Sequence, residues 1–119
     1  SIRYAKKREA FGAPIGSFQL VQAKLAEMAT LVQAARTLYH KAAWLLDQGT
    51  VDHSLIAMAK WYAGEIAVRC ADEAVQIHGG YGYMDDYKVQ RFYRDAKIVE
   101  LWEGTKEIEK LIIARRLLS

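Results

Sequence analysis

From Phe18 onward, apolar side chains recur at Phe18, Val21, Leu25, Met28, Val32, Ala35, Tyr39, Ala42 and Leu46, in steps of three and four. That spacing is the seam of one long α-helix lying nearly parallel or antiparallel to a neighbour. Leu31, Leu38 and Leu45 widen the stripe, so this helix is expected to meet more than one partner. Ser17 is a candidate N-cap, and Gly49 follows Asp47 and Gln48 as a C-terminal stop. A second long helix is expected from about Asp52 to Ile77. Its seam is Ile56, Ala59, Ala63, Ile66, Cys70 and Ile77, with Met58 and Tyr62 beside it, and small residues at 57, 59, 63, 64, 67, 71 and 74 permit close approach. It stops at His78-Gly79-Gly80, and Gly80 to Tyr83 reads as an irregular loop. Asp85 or Asp86 then caps a third helix carrying Val89, Phe92, Tyr93, Ala96 and Val99. A fourth runs from Thr105, as N-cap, to about Leu118, with Ile108, Leu111, Ile112 and Arg115 on one face. Ser1 to Ala10 reads as the last turns of a helix that begins upstream. No alternating strand pattern, repeat or linker interrupts the series, which predicts an all-α, up-and-down bundle of the four-helix type with a truncated first helix.

Composition agrees with one folded domain: 119 residues, 52% hydrophobic and 26% charged. The net charge of +3 is small and dispersed, so no nucleic-acid partner is expected. The single cysteine, Cys70, excludes an intrachain disulfide and fits a reducing compartment. The sequence shows no leader peptide and no apolar run near the length of a membrane span. Bundles often hold metals through Glu-x-x-His pairs, but none of His40, His53 and His78 follows an acid at that spacing, so no metal site is expected. Phosphate-loop and nucleophile-elbow motifs are likewise missing.

Three places are unusual for a purely structural bundle. One is the turn from Arg8 through Phe11, Gly12 and Pro14 to Gln19. Another is Gln76-Ile77-His78-Gly79-Gly80, where paired glycines free backbone N–H groups for a ligand or merely end a helix. The third is Trp102-Glu103-Gly104-Thr105, a carboxylate at a helix-to-helix break with apolar sequence on both sides. Such a glutamate is either a solvated turn residue or a general base that a neighbouring glycine leaves accessible. The N-terminus of the helix that follows offers unpaired N–H groups to an anion.

In order and spacing, these motifs resemble the C-terminal helical domain of the acyl-CoA dehydrogenases. The residues that carry the likeness are Tyr4-Ala5, Arg8, Phe11-Gly12, Pro14-Ile15 and Phe18-Gln19; Gln22, Leu25-Ala26 and Met28; and Ala57-Met58-Ala59-Lys60. They continue as Gln76-Ile77, Gly79-Gly80 and Gly82-Tyr83; Arg91 and Arg94-Asp95-Ala96; and Glu103-Gly104-Thr105 with Ile108. The resemblance covers essentially the whole chain. It implies that Glu103 is the base that removes the α-proton of an acyl-CoA thioester while the β-hydride passes to FAD. An apolar, water-poor pocket would raise its pKa and strengthen it as a base. It implies that Trp102, Glu103 and Gly104 meet the substrate, the Glu103 N–H helping to hold the thioester carbonyl. Thr105 and Glu107 resemble FAD contacts. Arg8, Phe11, Gln19 and the run Gln76, Ile77, His78, Gly79 and Gly80 resemble residues that reach the FAD of a neighbouring subunit. The implied assembly is a homo-oligomer, usually a tetramer, with electron-transfer flavoprotein as electron acceptor. Its compartment would be the cytoplasm of a prokaryote or the mitochondrial matrix of a eukaryote. Trp102 stands where the family commonly has Tyr, which would narrow or reshape the acyl pocket. The family's N-terminal helical and middle β domains do not occur in this sequence, which is therefore expected to be a fragment, an excised domain or one piece of a split enzyme. The alternative is a helical oligomerisation or partner-binding domain of the same ancestry that has no catalytic role.

Overall fold

Six helices and one small ribbon follow one another in the computed structural model, which describes residues 1–119. The order is α1 (Ile2–Lys7), a two-stranded ribbon of β1 (Glu9–Ala10) and β2 (Ala13–Pro14), a 3₁₀ turn (Ile15–Ser17), α2 (Gln19–Asp47) and α3 (His53–His78). A short α4 (Gly80–Tyr83), then α5 (Val89–Val99) and α6 (Lys106–Leu118), complete it. The body is elongated, 58 × 25 × 23 Å. Helix α3 is its axis: α2, α4, α5 and α6 all pack on it. The α3 start is capped by Asp52, whose carboxylate accepts the Leu55 N–H at 3.0 Å. The α2 end is closed at Gly49 (φ +77°), where the Gly49 N–H reaches the Leu46 carbonyl and the Thr50 N–H the Leu45 carbonyl.

Small side chains set the packing distance. Ala57, Ala59, Gly64, Ile66 and Ala71 of α3 are buried. A Cβ on Gly64 would lie 3.3 Å from the Val99 carbonyl oxygen and 3.6 Å from the Glu100 Cα, so α3 touches the backbone at the end of α5. Two ion pairs, Lys24–Glu73 and Arg69–Glu27, tie α2 to α3 along the rim.

Several boundaries differ from the sequence reading. The first helix stops at Lys7, and Glu9–Pro14 forms an antiparallel ribbon with Ala10 paired to Ala13. Its two-residue turn places Phe11 (φ +53°) and Gly12 (φ +79°) both in the left-handed region, the geometry that suits a tight hairpin. Ser17 lies in the 3₁₀ turn, where its hydroxyl donates to the Pro14 carbonyl, and Phe18 is the residue that precedes α2. Gly80–Tyr83 is a helical turn instead of a loop, entered through Gly79 at φ +60°. Neither Asp85 nor Asp86 caps α5; Lys88 precedes it, and the Asp85 carboxylate accepts from the Gln90 amide. Within α2, Ala35 and Ala42 are buried and Leu31, Leu38 and Leu45 half-buried, while Val32, Tyr39 and Leu46 are exposed. The expected seam is thus buried at Ala35 and Ala42 and half-buried at Val21, Leu25 and Met28, and the leucines at 31, 38 and 45 complete the inward face in place of Val32, Tyr39 and Leu46. In α6 the buried residues are Glu109 and Ile113, and the expected face of Ile108, Leu111 and Ile112 points away from this chain. Phe92 and Tyr93 of α5 are exposed in the same way.

The short α4 lies hard against α3 because Gly82 has no side chain. A Cβ there would sit 2.5 Å from the Val75 carbonyl oxygen and 2.9 Å from the His78 Cβ. Gly82→Ala should therefore lower stability by about 1–3 kcal/mol, the usual cost of overpacking. Gly80→Ala, with nothing within 4 Å of its Cβ position, should cost clearly less. Chemical denaturation of the two variants checks the difference.

Candidate functional site

The break between α5 and α6 is built around buried charge. Glu100, only 5% exposed, takes the Lys97 ammonium at one oxygen and the Lys106 ammonium at the other, the latter at 3.6 Å. The Lys106 N–H also donates to the Glu100 carbonyl at 3.3 Å, which closes the segment 100–106 into a loop. The Glu100 carboxyl is held below the ordinary carboxylate range, chiefly by the Lys97 hydrogen bond and against the opposing effect of burial. At the crown of this loop stands Glu103 at φ +54°, with Gly104 beside it at φ +114°. Apart from Phe11, Glu103 is the only non-glycine residue with positive φ. That conformation costs on the order of 1–2 kcal/mol and persists only where neighbours enforce it.

The enforcing contacts come from two sides. Lys60, from the first half of α3, donates a hydrogen bond to the Gly104 carbonyl. Glu109, buried in α6, presses a carboxylate oxygen toward Gly104, 2.6 Å from where a Cβ would be. Thr105 precedes α6 and accepts the Glu109 N–H through its carbonyl. The Glu107 carboxyl is pulled below its ordinary range, first by its own backbone N–H and then by the Thr105 hydroxyl. Glu103 itself is exposed, as are Leu101 and Trp102 beside it and Ile98 one turn back. The water-poor pocket expected around Glu103 is not formed by this chain's own residues.

A second site lies at the other end of α3. A groove of about 570 Å³ is lined by Tyr4, Arg8, Ile15, the run Gln76 to Gly80, Tyr81 and Met84. The fold thus brings Arg8 together with Gln76, Ile77, His78, Gly79 and Gly80, as expected from sequence. The aromatic residues in its wall were not foreseen as site residues. Tyr4 stacks on His78 with centroids 4.1 Å apart and donates to the His78 carbonyl at 3.3 Å, and Tyr87 meets Tyr4 edge-on. His78 Nδ1 lies 2.7 Å from the Ala74 carbonyl; since a carbonyl only accepts, that nitrogen carries the proton. His78 is buried and engaged, so it shapes the wall, whereas the Arg8 guanidinium, 5.2 Å from the Tyr81 ring centre, stands at the opening. The signal that could have found the tyrosines is their clustering near helix ends at 4, 81 and 87. Phe11 and Gln19 do not join this groove. Phe11 is 99% exposed at the hairpin tip, its ring edge-on to Phe18, and Gln19 is exposed at the start of α2.

Lys60 and His78 are separated along α3 by about 27 Å at 1.5 Å per residue. The Glu103 turn and the Arg8 groove are therefore two sites, and one small ligand does not bridge them within this chain.

A strained acidic turn before one helix and a glycine-floored groove at the far end of another, on a helical bundle, define a class. The family model for the C-terminal domain of acyl-CoA dehydrogenase matches residues 1–118. The chain belongs to that family. It is 52% identical over all its 119 residues to a probable acyl-CoA dehydrogenase, YngJ, of Bacillus subtilis, of which it covers 31%. Butyryl-CoA dehydrogenase from Megasphaera elsdenii superposes with a TM-score of 0.97 at 42% identity, over 99% of this chain and 31% of that one. A solved FAD complex of PigA superposes with a TM-score of 0.93 at 34% identity, over 98% of this chain and 30% of that one. The chain spans about a third of the length of the curated relatives it matches.

The charge on Glu100 carries a pH signature. Its folded pKa lies below the ordinary 4.5, so the stability it contributes is complete above that value and is lost as pH falls through the folded pKa. Glu100→Gln should lower the unfolding midpoint at pH 7, and parent and variant should converge in acid. A series of thermal melts from pH 7 to pH 3 reads the convergence.

Proposed function

We propose that this domain provides the base of a flavin-dependent acyl-CoA dehydrogenase. The observation that carries the reading is Glu103: a carboxylate held in the left-handed region, exposed, at a loop closed by the Lys106 N–H and the Glu100 carbonyl. A domain serving only assembly has no use for a strained acid at that position.

The chemistry follows from the residues. The Glu103 carboxylate takes the proton from the α-carbon of an acyl-CoA thioester; the electron pair left behind is shared with the carbonyl and becomes the Cα=Cβ double bond as the β-hydride leaves. The Glu103 backbone N–H faces the developing negative charge on the thioester oxygen and holds it. Gly104 lets the thioester approach the backbone, and Trp102 walls the first carbons of the acyl chain. The chain's residues also suit FAD. Gly79 and Gly80 have open space at their Cβ positions, and the Arg8 guanidinium and Gln76 amide at the same groove are donors for an anionic group. Bound FAD supplies the acceptor for the β-hydride. Thr105 and Glu107 would hold it at the α6 end, while Arg8, Phe11, Gln19 and Gln76 to Gly80 would hold the FAD of a second subunit.

That division between subunits rests on the spacing of about 27 Å between the two sites and on the uncovered apolar row of Val32, Tyr39 and Leu46 on α2. The assembly is a homo-oligomer, a tetramer by family resemblance, with electron-transfer flavoprotein as acceptor.

In the full-length enzyme, Glu103→Gln should slow flavin reduction by saturating acyl-CoA by about 10²–10⁴-fold or more, because the amide cannot accept a proton. FAD content and acyl-CoA binding should be retained. Glu103→Asp, shorter by one methylene, should keep part of the rate with a changed chain-length preference. Anaerobic rapid mixing measures both, and a Gln variant reducing at the parent rate removes Glu103 as the base.

A further inference from the structure

We infer that Lys60 is a positioning residue that holds the Glu103 turn in its working conformation from the neighbouring helix. The inference rests on the reading of Glu103 as the proton acceptor. Lys60 and Gly104 are far apart in sequence, yet the Lys60 ammonium reaches the Gly104 carbonyl. The charge on the donor makes this the stronger kind of hydrogen bond. No other side chain bonds the backbone between Glu100 and Thr105, so this one bond fastens the crown of the loop to α3.

The geometry around it makes the bond consequential. Gly64, one turn further along α3, packs on Val99 and Glu100 and sets the height of the loop's base. Glu109 blocks Gly104 from moving toward α6. With the base seated and one side blocked, the Lys60 bond fixes the orientation of the Gly104–Thr105 peptide plane, which is the exit from the Glu103 turn. Without that bond the Gly104–Thr105 peptide is free to turn, the crown loses its seat on α3, and the dihedrals of Gly104 and then Glu103 can relax toward ordinary values, re-aiming the carboxylate and the Glu103 N–H. Lys60 thus acts through Glu103 and does not itself touch the substrate.

Three substitutions in the full-length holoenzyme test this. Lys60→Met removes the donor and keeps the aliphatic stem; Lys60→Arg keeps a charged donor; Lys60→Gln supplies a shorter neutral one. Three properties are read for each: the rate of flavin reduction at saturating acyl-CoA, with KM; flavin content and unfolding midpoint; and backbone hydrogen exchange of the peptide spanning residues 99–109. Lys60→Met should slow flavin reduction by about 10- to 100-fold, the usual effect of a misplaced base, while KM and flavin content stay near the parent values. The 99–109 peptide should exchange faster while peptides of α2 and α3 do not change. Arg should restore most of the rate and the protection, and Gln should fall between. A Met variant with the parent rate, one with parent exchange at 99–109, or an Arg variant as slow as Met overturns the inference. So does a rate loss that merely tracks lost flavin and a lowered midpoint. The exchange measurement does not depend on Glu103 being the base: if that assignment fails, the Glu103→Gln variant keeps the parent rate, whereas if the Lys60 inference alone fails, Glu103→Gln is slow and Lys60→Met is not.

Discussion

The close approach of α3 to its neighbours is the constraint from which the rest follows. Alanines and a glycine at 57, 59, 64 and 71 let the axis helix meet other backbones directly, without a layer of large side chains between them. Because Gly64 meets Val99 and Glu100, the end of α5 lies on α3 one turn from Lys60, and the break that follows comes within reach of its ammonium. A bulkier residue at 64 would lift that break and separate Lys60 from Gly104. At the other end, α3 stops at a glycine with φ +60°, and the chain folds back as α4 on Val75 and His78, which shapes the groove beside Arg8. One helix, through its small residues, thus sets the geometry of both sites and the distance between them.

Much of this was legible in the sequence, because long helices announce themselves. The three-and-four periodicity located α2 and α3 to within a residue or two, and Asp52, Gly49 and the glycine pair marked their ends. What failed was local. The ribbon at Glu9–Pro14 has two residues per strand, too short for any alternation to show. The start of α5 was assigned to an aspartate because Asp is a good cap, yet the Asp85 carboxylate is used by the Gln90 side chain. The same holds at the sites. Motif order pointed to Arg8 and Gln76 to Gly80, which do meet. It could not show that Lys60 and Glu109 converge on Gly104, because that depends on how α3 and α6 pack around the break.

The apolar rows that point away from the core are informative for the same reason. Periodicity records which residues are buried somewhere, not what buries them. On α2 the row of Val32, Tyr39 and Leu46 is as regular as the row of Leu31, Leu38 and Leu45, but only the second faces α3. On α6, Ile108, Leu111 and Ile112 repeat the pattern, and on α5 Phe92 and Tyr93 do. A helix with two apolar rows has two contacts to make, and this chain satisfies one of them in each case.

Backbone strain ties the two ends of the molecule together. Phe11 and Glu103 are the two non-glycine residues with positive φ, and both lie in segments singled out by motif alone. Both present their side chains to solvent, Phe11 a large ring at the hairpin tip and Glu103 a carboxylate at the helix break, but they are held there differently. At Phe11 the ribbon's tight turn enforces the positive φ, a purely local device. At Glu103 the enforcement is tertiary, from α3 on one side and α6 on the other, so the acid's aim is as rigid as the packing of the bundle. On the proposed reading that difference suits the roles: a ring at a hairpin tip can adjust to what it meets, whereas a proton acceptor aimed at one hydrogen gains from a turn held by two helices at once.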